Sequence, residues 1–306
     1  MNVGFIGLGN LGRQLAARLL AAGFQLSVHD HDAAAVERLV AGGARRCDSP
    51  RAVAEASACV ITCLPSPAAV HEVVAGADGV LAGLRPGGTW IDMSTNDPHE
   101  LERLAALAAE RGIATLECPV TGGVHLAASG EITVIAGGDE GVFEAHRAVL
   151  QAMGGRVIHV GPLGQASVIK VITNMLAFIH LVAVGEALML AKRGGLPLAT
   201  AYDVIRASSG NSFVHETESQ VILNGSYDIG FTMDLALKDL GFALELGREL
   251  DVPLELAGLV EETFERARAE YGGAAWSSQV VKLLEDAVGV DLRADGFPAR
   301  LGAEGA

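Results

Sequence analysis

Short apolar runs alternate with stretches of helical period through the first half of the chain. The runs at 3–6, 25–29, 59–63, 89–92, 115–117, 132–136 and 157–160 predict strands, because β-branched and other apolar residues are concentrated in them. Between several of them lie Ala-, Leu-, Glu- and Arg-rich stretches, such as 11–22, 32–41 and 98–111, whose apolar positions recur with helical spacing. Near-continuous apolar strands alternating with helices predict an α/β domain with a parallel, doubly wound sheet covered on both faces.

The pattern changes after residue 160. Gly161-Pro162-Leu163-Gly164 punctuates the chain, and nothing from 165 to 193 breaks a helix. A helix of that length would span about 44 Å. Lys192 and Arg193 complement its dipole, Gly194-Gly195 stop it and Pro197 follows. Beyond it the pattern is helical, at 198–207, 213–223, 233–250, 254–271 and 276–288, which predicts an all-α second domain. The domains are therefore read as 1–162 and 163–306, with a Gly/Ala-rich tail after about 295 expected to be disordered. The stretch 171–185 has no Asp, Glu, Lys or Arg, yet Lys170, Asn174, His180 and Glu186 flank or interrupt it. A buried central helix explains it better than a membrane span.

Half of the 306 residues are hydrophobic, 19% are charged and the net charge is −15. That balance argues against a nucleic-acid binder, which needs a basic face, but leaves room for small anions at a helix N-terminus. Cys47, Cys59, Cys63 and Cys118 form no C-x-x-C pair, and no His cluster has metal-ligand spacing, so no metal is expected. Buried, reduced thiols and an N-terminus that enters a strand directly predict a cytoplasmic protein.

Gly7-Leu8-Gly9-Asn10-Leu11-Gly12 is a G-x-G-x-x-G. Alone it is compatible with an ordinary tight turn. Between the 3–6 strand and the 11–22 helix, it predicts a dinucleotide site: the glycines let the backbone approach a pyrophosphate at a helix N-terminus. Asp30 ends the second strand, 18 residues after Gly12, where a carboxylate accepts from the adenosine ribose hydroxyls. His31 and Asp32 follow rather than an Arg, so NAD is favoured, with NADP as the alternative. A simple capping role for Asp30 at the next helix is compatible with this.

Three further stretches carry candidate chemistry. Glu117-Cys118-Pro119-Val120-Thr121-Gly122-Gly123 leads from a strand end into a hydroxyl-plus-diglycine loop that can offer Thr121 and backbone N–H groups to a carboxylate. Lys170 and Asn174 are four apart and share a helix face, and Lys238-Asp239 lies in a later helix. A lysine in a charge-poor stretch can simply snorkel to the surface; alignment with Asn174 just past a Gly-rich break favours function.

These motifs together resemble the β-hydroxyacid dehydrogenases, the family of 3-hydroxyisobutyrate dehydrogenase and tartronate semialdehyde reductase, over nearly the whole chain. The resemblance rests on residues 4–12, Cys63-Leu64-Pro65-Ser66, Asp92-Met93-Ser94-Thr95, Pro119 to Gly123, Gly161-x-x-Gly164 with Lys170 and Asn174, and Lys238-Asp239-Leu240. It implies an α/β Rossmann-type domain, a long connecting helix, an all-α C-terminal domain and a homodimer or homotetramer. It also implies that Lys170 acts on the hydroxyl or carbonyl oxygen of a small hydroxy acid or semialdehyde. Thr121, Gly122 and Gly123 would hold the substrate carboxylate, Asn174 would orient it, and Leu64, Pro65, Thr95 and Lys238 would lie along the cofactor. Such a lysine needs its pKa brought down toward neutrality, which a closed apolar cleft achieves.

The chain departs from the family pattern at several positions. Ala166 replaces a third glycine, Thr121 a commoner serine and Glu131 a threonine; His125-Leu126 stand where small residues are usual. His125 is thereby a candidate for the pocket rim and leaves substrate identity open. The rival readings are an imine or ketimine reductase, whose members typically lack the lysine, and a non-catalytic dinucleotide-binding module.

Overall fold

A computed structural model describes residues 2–302 and divides the chain into two units, 1–170 and 171–306. In the first unit β1 (Asn2–Ile6), α1 (Gly12–Ala21), β2 (Gln25–His29), α2 (Ala33–Ala41), β3 (Arg45–Arg46) and α3 (Pro50–Glu55) come first. They are followed by β4 (Cys59–Thr62), α4 (Pro67–Ala75), α5 (Val80–Gly83), β5 (Thr89–Asp92), α6 (Pro98–Ala109) and β6 (Ala114–Glu117). The unit continues with β7 (Val120–Thr121), α7 (Val124–Ser129), β8 (Thr133–Gly138), α8 (Glu140–Met153), β9 (Arg156–Gly161) and the start of α9 (Gln165–Arg193).

The strands form one sheet in the order β3-β2-β1-β4-β5-β6-β8-β7, with β9 against β8. Alternate residues feed opposite layers, as the two-residue period of a strand requires. Phe5, Ile61 and Ile91 pack toward α1, α2 and α8, whereas Ile6, Val60 and Trp90 pack toward α3, α4, α5 and α6. The sheet is mostly parallel. The parallel, doubly wound sheet expected from the sequence is found, with one edge where β8 runs antiparallel to β6 and β7. The cause is local: β6 and β8 are joined through β7 and the short α7, with no long crossover helix to return the chain to a parallel start.

The second unit contains the rest of α9, then α10 (Leu198–Arg206), α11 (Phe213–Asn224), α12 (Met233–Glu249) and α13 (Glu255–Tyr271). A 3₁₀ turn at Ser277–Val281 leads into α14 (Lys282–Val288). Its core gathers Phe178, Leu181, Leu188, Ile222, Met233, Leu240 and Phe264.

Two expectations change here. The sequence predicts that the stretch 171–185 lies in a buried central helix. Among the described residues it is the one helix long and apolar enough to cross a bilayer, yet only a third of its apolar window is buried. Ile169, Ile172, Leu176 and Leu190 remain exposed. The tail was expected to be disordered from about 295, but 295–302 is tied to α11 and the turn after it. Asn224 and Ser226 donate to the carbonyls of Phe297 and Ala299 at 2.9 and 2.6 Å, and Phe297 packs edge-on against Tyr202. Gly/Ala-rich composition misled because the tail is held against a neighbouring helix end through its backbone carbonyls. Residues 303–306 lie outside the described residues.

Glu218 on α11 has a buried Oε2 without a hydrogen-bond partner, and burial pushes its carboxyl up to about 8. The folded chain thus keeps a proton that the unfolded chain has lost, so stability falls as pH rises from about 4.3 to about 8 and then levels. Glu218→Gln should flatten that fall and raise the Tm in alkaline buffer while leaving the Tm unchanged near the lower end of the window, at about pH 4. Thermal unfolding across the interval checks this; parallel wild-type and variant curves would refute it.

Candidate active site

The chain steps outward from β1 through β2 to β3 and then returns to β4 on the other side of β1. Ligands of open α/β sheets bind beyond the carboxyl ends of the strands at such a switch point. The turn 7–12 leaves β1 there. Gly7 has φ +96°, and a Cβ on it would sit 2.3 Å from the carbonyl oxygen of Cys63. A Cβ on Gly12 would sit 2.0 Å from the carbonyl oxygen of Gly7, so this glycine lets α1 close against the strand. A Cβ on Gly9 would meet nothing within 4 Å. The Leu11 N-cap offers no side-chain bond to α1, and the amides of Arg13 and Gln14 donate to the carbonyls of Gly9 and Leu11. Two glycines required by the protein's own backbone and a third facing open space fit a pyrophosphate cradle.

Asp30 is joined to this turn directly. Its Oδ2 accepts from the amide of Leu8 at 2.6 Å and its Oδ1 from the amide of Asp32 at 2.8 Å. The cap of α2 is Asp32 itself, which accepts from Ala34. His31 is almost fully exposed, and Asn10 is exposed with its Oδ1 accepting from Arg13. The sheet also brings β3 beside β2, setting Arg45 and Arg46 against Ser27 and Val28, a proximity absent from the linear sequence. Arg46 is engaged there by Glu37 and Asp48.

The loops after β4 and β5 are fastened by a residue given no role in the sequence reading. Asp92 is 1% exposed; its Oδ1 accepts from the hydroxyls of Thr62 and Ser94 at 2.9 and 2.6 Å, and its Oδ2 from the amide side chain of Asn96 at 3.1 Å. Burial raises its pKa, and the Ser94, Thr62 and Asn96 hydrogen bonds oppose that rise. Ser94 in turn accepts from the amide of Leu64 at 2.9 Å. Leu64, exposed Pro65 and half-buried Thr95 are thus carried by two loops held on one carboxylate.

At the far edge, Thr121 lies in β7 opposite Thr133 rather than in a free loop. Gly122 and Gly123 follow with φ +123° and +87°, conformations that favour glycine. His125 is half-buried; a Cβ on Gly123 would lie 3.2 Å from its ring, so the imidazole folds back over the diglycine. Burial pushes its pKa down. Glu131 is exposed and accepts from Ser129. Lys170 is 7% exposed in the second turn of α9.

In the second unit Asn174 donates to Asp239 Oδ2 at 2.5 Å, and Lys238 Nζ lies 2.9 Å from Asp239 Oδ1. Asp239, 1% exposed, thus accepts from Asn174 and is ion-paired with Lys238. Its only sequence signal was its adjacency to Lys238. No group of three or more His, Cys, Asp or Glu side chains forms a metal site among the described residues.

Residues 2–161 match the family model described as the NAD binding domain of 6-phosphogluconate dehydrogenase. Residues 164–284 match that described as NAD-binding of NADP-dependent 3-hydroxyisobutyrate dehydrogenase. The chain is 37% identical to 2-(hydroxymethyl)glutarate dehydrogenase of Eubacterium barkeri, over 95% of this chain and 97% of that one. It superposes on the crystal structure of 3-hydroxyisobutyrate dehydrogenase from Salmonella typhimurium with a TM-score of 0.86 at 32% identity, covering 92% and 99% of the two chains. For Mycobacterium tuberculosis 3-hydroxyisobutyrate dehydrogenase, solved with L-serine, the TM-score is 0.83 at 30% identity, covering 92% and 98%. The fold and the crevice are those of a nicotinamide-dinucleotide oxidoreductase. The chain belongs to the β-hydroxyacid dehydrogenase family.

The glycines separate binding from folding. Gly9→Ala should leave the Tm unchanged but weaken dinucleotide binding by on the order of 10-fold or more, because the new methyl fills space only a ligand needs. Gly12→Ala should lower the Tm as well, since its methyl overlaps a backbone carbonyl. Titration of nucleotide fluorescence alongside thermal unfolding checks the pair; equal Tm losses would defeat the distinction.

Proposed function

We propose that this protein, in the cytoplasm, interconverts a small 3-hydroxy acid and its semialdehyde with NAD in preference to NADP, using Lys170 as general acid/base. The observation that carries the reading is Lys170 itself: a lysine 7% exposed near the start of α9, in the same unit as the pyrophosphate cradle and the diglycine turn. A bound nicotinamide supplies the hydride acceptor or donor. The chain's own residues do the rest. Gly7, Leu8, Gly9, Asn10, Leu11 and Gly12 hold the pyrophosphate, Asp30 and His31 meet the adenosine ribose, and Leu64, Pro65, Thr95 and Lys238 line the cofactor.

The Thr121 hydroxyl and the amides of Gly122 and Gly123 take the substrate carboxylate, Asn174 orients the substrate, and His125 at the rim selects the remainder of the molecule. In oxidation neutral Lys170 takes the hydroxyl proton as hydride leaves the same carbon; in reduction protonated Lys170 polarises the carbonyl and returns that proton. The buried, free cysteines support a reducing compartment, and the exposed Ile169, Ile172, Leu176 and Leu190 support a homodimer or homotetramer that covers them.

A panel of 3-hydroxyisobutyrate, L-serine and 2-(hydroxymethyl)glutarate with NAD and NADP tests the class. Lys170→Ala should lower kcat by at least about 10²-fold with dinucleotide affinity nearly unchanged; near-normal turnover in a folded variant would end the assignment. NAD should give the higher kcat/KM, and Asp30→Ser with His31→Arg should narrow or reverse the preference; a wild-type preference for NADP would show the ribose reading to be wrong. Thr121→Val should raise KM for an acid by an amount equivalent to about 1.5–3 kcal/mol but spare the matched ester. Equal effects on acid and ester would remove the loop from carboxylate recognition.

A further inference from the structure

Glu117 closes β6, four residues before Thr121, and is 1% exposed. Its Oε1 accepts from the amide of Ala166 at 2.9 Å, and its Oε2 accepts from the amide of Ser167 at 3.0 Å and from the Ser167 hydroxyl. Those amides belong to the first turn of α9, where a helix has no carbonyl partners of its own. Elsewhere in this unit capping is local: Asp32, Ser49, Ser66, Asp97 and Asp139 each cap the helix they begin. The α9 cap instead comes from a strand 49 to 50 residues earlier, so the bond ties two segments that both bear candidate substrate groups.

The socket for this carboxylate is built on the opposite strand. Gly137 of β8 is in register with Glu117, and a Cβ there would lie 2.4 Å from Oε1 and 3.0 Å from Cγ. The missing side chain at 137 is what lets Glu117 lie across the sheet edge toward α9. Lys170 follows Ala166 by four residues, one turn on along the same face, and helical side chains lean toward the N-terminus, here toward the anchored turn.

We propose that Glu117 is a positioning residue that fixes the first turn of α9 to the strand feeding the diglycine turn, and so sets Lys170 relative to Thr121, Gly122 and Gly123. This rests on Lys170 being the acid/base. Gly137→Ala perturbs the anchor without touching Glu117. It and Glu117→Gln should each lower kcat, by up to on the order of 10²-fold. The deuterium isotope effect on kcat should increase, and NADH affinity should stay within about twofold, well inside the roughly tenfold that one step of 1.4 kcal/mol represents. Both should accelerate amide hydrogen exchange at 166 and 167, a readout that needs no substrate. The double variant Gly137→Ala with Glu117→Ala should be no worse than Glu117→Ala alone, since the methyl then meets no carboxylate.

If Glu117→Ala fails to fold, Ser167→Ala removes one donor and should give an intermediate kcat loss. Multiplying losses in the double variant, or wild-type kcat and exchange in Gly137→Ala, would overturn the proposal. Lys170→Ala reports the underlying reading separately. Turnover surviving there while Glu117→Gln is impaired shifts the anchored acid/base elsewhere, whereas an inactive Lys170→Ala beside a fully active Glu117→Gln removes Glu117 alone.

Discussion

A carboxylate at the end of an apolar strand has to be given donors on each oxygen, because burying it otherwise is too costly. This chain meets that requirement at two neighbouring positions. Asp92 and Glu117 are in register on β5 and β6, both 1% exposed. Asp92 finds one partner, Thr62, on the adjacent strand and the others in the loop beyond, and Glu117 finds its partners outside the sheet. Asp92 draws in Thr62, Ser94 and Asn96, and Glu117 draws in the first turn of α9. Because parallel strands end on the same side, both demands fall on the loops that face the crevice. Satisfying the charges and shaping the site are one event.

The complement of a buried side chain is a position that must have none. Gly12 gives up its Cβ to the carbonyl of Gly7, and Gly137 gives up its Cβ to Glu117. Each glycine matters here for the space it vacates, and Gly137 has no need of a positive φ. The two occurrences differ in legibility. Gly12 sits in a motif whose spacing announces it, whereas Gly137 has meaning only once β8 is known to run antiparallel beside β6.

That difference runs through the whole comparison of sequence with structure. The long strands, the G-x-G-x-x-G turn and α9 were legible because their signals are local: apolar period, glycine spacing, an unbroken helical run. The short helices α3 and α4 carried a local signal too, in Ser49-Pro50 and Ser66-Pro67, a cap followed by a proline at the first turn. Two-residue β3 and β7 carried none, since their strand character comes from the neighbours they pair with. Among the candidate site residues, Lys170, Asn174 and the diglycine stood out by type and spacing. Asp92, Glu117 and Asp239 did not, because each works through a partner 30 to 65 residues away in sequence. A lone acidic residue closing an apolar strand is nonetheless a readable sign: burial is then forced, and a distant donor has to exist.

The two ends of the crevice are made of different material, and this bears on how the family varies. The proposed pyrophosphate end is built from main chain, with glycines at 7, 9 and 12 at the start of α1. Backbone donors do not change when side chains do, provided that the glycines shaping the turn are kept. The opposite end combines the backbone of two positive-φ glycines with the side chains of Thr121 and His125. The backbone amides there suit any carboxylate, while the imidazole folded over Gly123 is a side chain that substitution can replace outright. In the proposed function the acid group is taken by this geometry, and the rest of the molecule meets one replaceable ring. A scaffold divided this way can hold its hydride chemistry fixed while relatives come to act on hydroxy acids of different length and charge.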